Sequence, residues 1–447
     1  MNPICRRRSA LPPPAKTTPT DDENLLPEVL IRLPAQPSSL PRASLVCKQW
    51  RHLIADPQFL RRFCAHHREP PIIGVFLDFY RGDLSFRSVL DRPDLIPPER
   101  FPVRFDGIEG GGGVEGNDGI WAFRRWPHGP ARFHRRCRHG RVLFTRGDHL
   151  GKGCRQVLVW DPVTGDRRFI GSPPQLDHDW SKSHVQADVL CAAGDKDHVH
   201  GSCHSSLFKV VLSKQADVLC AAGDKDHVHG SCHSSLFKVV LVCADKLVAR
   251  ACVYSSESNS WGDLISTDVP YHTMSCVGSR SILVGNSLHW FIFGTQTGIL
   301  KLDLDTRSLA VVEVPPDAHA SHHGLYLSTL GGGLGFIVVS DDFVAQLWVR
   351  TTDFDGVAGW MPAQAVELNK LLPLRPGEWT NLQTVLGVAG DENVIFVSTN
   401  GGVFMVHLES LQFKKIFESN PFAECTTSTI HPFTSFFTAG NNMNVQG

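Results

Sequence analysis

From about residue 70 to residue 440 the chain is a succession of short apolar runs broken by turn residues, and this regularity constrains the fold more than any other feature. The runs include RVLFTRG, QVLVWDPVTGDRRFI, FKVVLVCAD, ARACVYSSESNSWGDL, SILVGNSLHWFIF, ILKLDLDTRSLAVVEV, LGFIVVS, AQLWVRTTD, NVIFVSTNGGVFMVHL and TSFFTAG. They are rich in β-branched and aromatic residues, which fit a pleated, half-buried surface. Inside them, DPVTGD, SSESNS, DLDTRS and STNGG supply the Gly, Asn, Asp and Ser that tight hairpins need. A sandwich would stop sooner, so strands repeating over this length predict a large all-β domain of the β-propeller kind. Only AQAVELNKLLPL reads there as a short helical or irregular insertion.

The 447 residues suit two or three domains, or one small and one large. Hydrophobic residues at 42% and charged residues at 20% are ordinary for a globular protein with a real core. A net charge of −1 argues against a strong positive field for nucleic acid and against a polybasic membrane anchor. The expectation is therefore no nucleic-acid and no membrane partner. No apolar run approaches the roughly 18 residues a membrane helix requires. The 13 cysteines are odd in number, irregularly spaced and without a C-x-x-C pair, as free thiols in a reducing compartment would be. MNPICRRRSALPPPAKTTPT lacks the apolar stretch of a secretory signal, and CRRR is too short for a nuclear one. The expected location is cytoplasmic and/or nuclear.

Residues 1–22, rich in Pro and Thr, and residues 441–447 are expected to be disordered tails. Residues 23–67 have a compact helical texture. Leu26, Leu30 and Leu33 fall at helical spacing, and Pro34 ends that helix. Ser38 or Ser39 can cap a second helix with Pro41 in its first turn and an apolar stripe of Leu40, Ala43, Val46, Cys47 and Trp50. Asp56-Pro57 is an N-cap followed by a first-position proline, opening a third helix with Phe59 and Phe63 at i,i+4. Three short helices bury little surface alone and usually rely on a partner. Periodicity leaves two readings level: a helical cap on the β domain, or a docking module.

Specific residues tilt the balance. Leu26-Pro27, Glu28, the aliphatic Val29 to Leu33, Leu33-Pro34, Val46-Cys47-Lys48-Gln49-Trp50 and Asp56-Pro57-Gln58-Phe59 closely resemble, in order and spacing, an F-box motif. Pro41 stands where that family more often has an aliphatic residue, so the second helix is expected to start slightly late. The resemblance implies docking on the Skp-type adaptor of SCF ubiquitin ligases, and through it on the cullin and RING subunits. It points to Leu26, Pro27, Leu30, Leu33, Val46, Cys47 and Trp50 as adaptor-binding positions, some buried within the motif and some facing the adaptor.

VWDPVTGDRR, HVHGSCHSSLFKVVLV, VYSSESNSWGDLIS, AVVEVPPD and VIFVSTNGGVFMVHLESLQFKKIFE are similar to plant F-box proteins, especially the cereal branch, with a C-terminal β-propeller-like domain. The likeness covers roughly residues 24–440. It implies a small all-α F-box at 23–67, then a propeller over 68–440 that recruits a protein target, in a non-catalytic subunit with no cofactor. Other readings are an F-box scaffold outside ubiquitination, a propeller binding a glycan or small molecule, or a poorly functional paralogue.

That last reading comes from QADVLCAAGDKDHVHGSCHSSLFKVVL, which occurs at 186–212 and again at 215–241, identical at all 27 positions. Structural repeats drift because each copy meets different neighbours. Perfect identity indicates a recent tandem duplication of 29 residues or a gene-model error. The copies offer Cys191, His198, His200, Cys203 and His204, then Cys220, His227, His229, Cys232 and His233, as ligands. HVHGSCH matches no standard zinc spacing, so a turn with side chains bonded to backbone is preferred and no metal is expected.

GIEGGGGVEGNDG (107–119) lacks the Lys-Ser/Thr of a phosphate loop and reads as a flexible loop. Asp303 and Asp305 in KLDLDT could pair for acid–base work but read better as solvated charges. No Gly-x-Ser-x-Gly or His-Glu-x-x-His motif and no other catalytic constellation is present. Trp160, Trp261, Trp290 and Trp348 read as strand core. Trp121, Trp126, Trp180, Trp360 and Trp379 read as loop tryptophans on a binding face.

Overall fold

The computed structural model describes residues 25–67, 70–78, 84–101, 133–138, 141–146, 156–163, 165, 167–171, 189–191, 208–210, 215–220, 237–255, 260–275, 281–315, 324–340, 342–374, 385–390, 392–399, 401–418 and 429–436. The expected tails at 1–22 and 441–447 and the glycine-rich stretch lie outside them.

The N-terminal unit has helices α1 (Leu25–Leu30), α2 (Ser39–Ala43), α3 (Lys48–Ala55) and α4 (Pro57–His67). Its core gathers Leu26, Leu30, Ile31, Leu40, Ala43, Ile54, Phe59 and Phe63, with Leu33, Trp50, Leu53 and Leu60 packed around them. Each fully buried Leu or Phe contributes roughly 1.5–3 kcal/mol. Asp56 caps α4 as its sequence predicts: its Oδ1 accepts the Gln58 N–H at 2.9 Å.

Two details depart from the periodicity. After Leu30 the backbone tightens into i→i+3 bonds, Arg32 to Val29 and Leu33 to Leu30, so Leu33 lies beyond α1. The stripe read as one second helix is divided between α2 and α3. Ser44 Oγ donates back to the Pro41 carbonyl at 2.6 Å, and Leu45 and Val46 make i→i+3 bonds to Arg42 and Ala43. Such local bonds compete with helix continuation. Cys47 is then fully extended (φ −159°, ψ 173°) before α3 begins.

The remainder of the described residues is antiparallel β-sheet in the arrangement of a β-propeller, with little helix. Three sheets have four strands each in sequence order: Phe133–Arg138, Arg141–Arg146, Gln156–Trp160, Arg167–Gly171; Leu325–Leu330, Gly333–Val339, Val344–Thr352, Ala358–Glu367; and Val385–Ala389, Val394–Thr399, Gly402–His407, Gln412–Phe417. A larger sheet runs Ser260–Trp261, Phe237–Ser255, Ile265–Ser275, Ser287–Gly294, Thr297–Asp303, Ser308–Glu313. In a further sheet the first and last strands of the domain meet. Ile72–Asp78 pairs on one side with Leu84–Ser88 and on the other with Thr429–Thr434, Phe76 standing opposite His431. Phe76 packs edge-on against Phe86, Phe433 and Trp160, at 5.3, 5.4 and 5.8 Å between ring centres, which joins this closing sheet to its neighbour.

Where the predicted turns fall among the described residues, they bond as those residues require. In DPVTGD, Asp161 Oδ1 accepts the Val163 N–H at 2.9 Å, and Gly165 takes φ +83°. Sheets approach so closely that some positions admit no side chain. A Cβ on Gly390 would stand 2.6 Å from the Leu327 carbonyl oxygen in one neighbouring sheet, and one on Gly387 would strike the Ile430 carbonyl in the other. The strand Val385–Ala389 is thus held between two backbones. In AQAVELNKLLPL, 363–367 completes the strand Ala358–Glu367, and the helix is only Leu368–Leu371.

Within the duplicated stretch both copies pair in one register. Val189, Leu190 and Cys191 face Val210, Lys209 and Phe208, and Val218, Leu219 and Cys220 face Val239, Lys238 and Phe237. The second copy continues into the sheet through the strand Phe237–Ser255. The candidate metal ligands His198, His200, Cys203, His204, His227, His229, Cys232 and His233 lie outside the described residues. Among the described residues no group of three or more His, Cys, Asp or Glu could hold a metal, and no helix is long and apolar enough to cross a membrane.

Candidate functional site

The seven positions singled out by sequence separate into three groups. Leu26 and Leu30, each 1% exposed, form the inner core of the helical unit. Pro27, Leu33 and Trp50 are half-buried at its margin. Val46, at 63%, and Cys47 are exposed in the break between α2 and α3. Only this last pair stands fully open to a partner.

The structure adds three residues. Leu45 is 75% exposed beside Val46, and Leu25 and Val29 are 48% and 49% exposed on α1. At 100° per residue, Leu25, Val29, Leu26 and Leu30 span a continuous arc of about 140° on α1. The helix's own core covers the Leu26–Leu30 side and leaves the Leu25–Val29 side bare. A readable signal existed: Leu25-Leu26 and Val29-Leu30 are apolar doublets, broader than a single buried stripe.

Charge between residues 29 and 55 has one sign. From residue 29 to residue 55 the sequence contains no Asp or Glu, while Arg32, Arg42, Lys48 and Arg51 are all exposed. Glu28 is tied to Arg62 of α4 by an exposed salt bridge. The arrangement presents bare aliphatic side chains rimmed by cations. It can bind an apolar surface with acidic edges.

In the β domain the carboxylates Asp303 and Asp305 have structural work. Asp303 Oδ1 accepts the Thr306 N–H and hydroxyl, both at 2.9 Å, and closes the DLDTRS turn. These bonds hold its carboxyl below the usual carboxylate range. Asp305 pairs with Asn286. Trp160 and Trp290 are buried at 3% and 1%, Trp261 is half-buried, and Trp348 stacks on Phe336 at 5.9 Å.

Trp360 corrects the sequence reading. It lies in the strand Ala358–Glu367, packs edge-on against Phe336 at 4.7 Å and donates its Nε1–H to the Glu313 carbonyl at 2.7 Å. Its neighbours Gly359 and Pro362 made the segment look like a loop. Its hairpin instead exposes Phe354, Val357 and Met361. Trp121, Trp126, Trp180 and Trp379 lie outside the described residues. His289, 4% exposed, has an Nδ1 without a hydrogen-bond partner. Burial, with the nearby charges of Lys301 and Arg350, pulls its pKa down to about 4.

A helical unit with an uncovered apolar face, followed by antiparallel sheets whose first and last strands pair, defines a class of protein in which a small helical module precedes a β-propeller. The family models agree on both parts. One described as F-box-like matches residues 23–66, and one described as "F-box protein AT5G49610-like, beta-propeller" matches residues 135–439. The chain belongs to this family of F-box proteins with a β-propeller. None of the curated proteins searched matches it. Among solved structures, an α-L-arabinofuranosidase of Clostridium thermocellum aligns at 10% identity over 53% of this chain and 74% of its own, with a TM-score of 0.27.

Proposed function

We propose that this protein is the substrate-recognition subunit of an SCF-type ubiquitin ligase. Its F-box docks on a Skp-type adaptor, which connects it to the cullin and RING subunits. The domain at 68–440 holds the protein target. The chain performs no bond chemistry; it raises the target's effective concentration at the ubiquitin-charged enzyme.

The observation that carries this reading is the uncovered apolar surface of the F-box. Leu25, Val29, Leu45, Val46 and Cys47 are exposed on a unit that also buries a core of its own. A lone helical cap would turn such side chains onto the β domain. Of the sequence-derived positions, Val46 and Cys47 touch the adaptor. Leu26 and Leu30 act from inside by fixing α1, while Pro27, Leu33 and Trp50 sit at the seam.

The test is capture of partners by the intact protein and by a form lacking residues 25–67, each identified by mass spectrometry. Adaptor and cullin are expected with the intact chain and absent from the deleted form, while target proteins remain with both. Absence of any Skp-type adaptor from the intact chain's partners overturns the proposal.

A further inference from the structure

We infer that Asp94 is a positioning residue that fixes the F-box in one orientation on the propeller. Only the consequence rests on the function proposed above: an adaptor on one part and a target on the other would be held at a set angle. The geometry itself belongs to this chain alone.

Asp94 lies in the segment after the strand Leu84–Ser88. It is 9% exposed, and its Oδ1 accepts the backbone N–H of Ser38 at 2.7 Å, across 56 residues of sequence. Ser38 is the N-cap residue that precedes α2. A buried carboxylate needs such a donor, and a charge-assisted bond of this length is among the stronger ones. The Asp94 amide in turn donates to the Asp91 carbonyl at 2.8 Å. Lys414, on the strand Gln412–Phe417, donates to the Val89 carbonyl at 2.8 Å and to Asp91 Oδ2 at 2.6 Å. The segment 89–94 is therefore gripped by the outer strand of a propeller sheet on one side and grips the F-box on the other. The Lys414–Asp91 pair is largely exposed and contributes little by itself; Asp94 makes the crossing bond.

A second contact lies apart from the first in sequence. Cys64 of α4 is buried with Phe436, which follows the last strand of the ring, and Ala35 and Ala65 pack against them. The covalent link is short: α4 ends at His67 and the next strand begins at Ile72, leaving 68–71. A short link alone permits rotation about itself. The Asp94–Ser38 bond and the Cys64–Phe436 contact remove that freedom.

The experiment uses the full chain, with spin labels introduced through non-natural amino acids at Gln49 in α3 and Glu409 in the propeller. It also follows hydrogen exchange at the Ser38 amide. The wild type should give one narrow label distance and a protected Ser38 amide. Asp94→Ala should broaden the distances and speed Ser38 exchange about tenfold or more, leaving exchange in the strand Val394–Thr399 unchanged. Asp94→Asn keeps a carbonyl acceptor and should restore much of the narrow distribution. A broad distribution in the wild type, or Asp94→Ala indistinguishable from it in both readouts, overturns the inference. Should Asp94→Ala fail to fold, the wild type and Asp94→Asn decide it: narrow in both supports the pin, broad in either refutes it. Adaptor capture is scored separately. A narrow distance without capture defeats the ligase reading and leaves the pin standing; capture with a broad distance does the reverse.

Discussion

Replacing Leu45 and Val46 together by serine separates docking from folding. Their side chains are 75% and 63% exposed and support little of the F-box core. Full burial of a Leu or Val is worth about 1.5–3 kcal/mol. Covering the exposed two-thirds or so of each against an adaptor yields about 1–2 kcal/mol apiece, or about 2–4 kcal/mol for the pair. At 1.4 kcal/mol per decade this is a loss of roughly 30- to 700-fold in affinity. The stability cost should stay below about 1 kcal/mol, since surface substitutions seldom exceed a few tenths each. The assay is titration calorimetry of full-length protein with a purified Skp-type adaptor, beside urea melts followed by circular dichroism. Leu30→Ala is the contrast. At 1% exposure its truncation should cost about 2–5 kcal/mol and lose binding through melting of the helical unit. A double serine variant that binds within threefold of the wild type would refute the claim that this turn meets the adaptor.

Two further outcomes follow from the β domain. Gly387→Ala drives a methyl group into the Ile430 carbonyl of an adjacent sheet, and should lower the stability of the domain by about 3 kcal/mol or more, read as a reduced urea midpoint. His289 is held neutral, its pKa lowered from 6.5 to about 4. The unfolded chain binds this proton more readily, so the stabilisation is fully present above pH 6.5 and is lost as pH falls toward 4. The loss is roughly 3 kcal/mol, and His289→Asn should flatten the melting temperature over that interval, whereas an unchanged slope would count against the assignment.

Much of the fold was legible because its signals are local. Asp56-Pro57 announces α4 with a cap and a first-turn proline, and the structure supplies the Gln58 bond. The DPVTGD and DLDTRS hairpins follow from side chains that bond their own backbone two or three residues on. Signals failed where the deciding partner is distant. A periodic stripe cannot say which of its members face inward, so Leu26 and Val46 looked alike although one is buried and the other bare. Leu45 falls off the stripe of the helix that the spacing predicts, a helix that in fact stops at Ala43. Trp360 looked like a loop residue because its partners, Phe336 and the Glu313 carbonyl, belong to strands 24 and 47 residues earlier. Nothing near Asp94 marks it as the residue that reaches Ser38.

The pairing of Ile72–Asp78 with Thr429–Thr434 has a consequence for biosynthesis. A ribosome delivers the helical grip and the opening hairpin early, and that hairpin then waits through the residues from 89 to 428 for the strand that completes its sheet. During this interval one edge of Ile72–Asp78 is bare and open to chaperones or to a foreign strand. A message truncated before Thr429 would yield a chain that still carries every F-box residue but not the last strand of its β domain, and such a product could occupy adaptors without a finished receptor behind it.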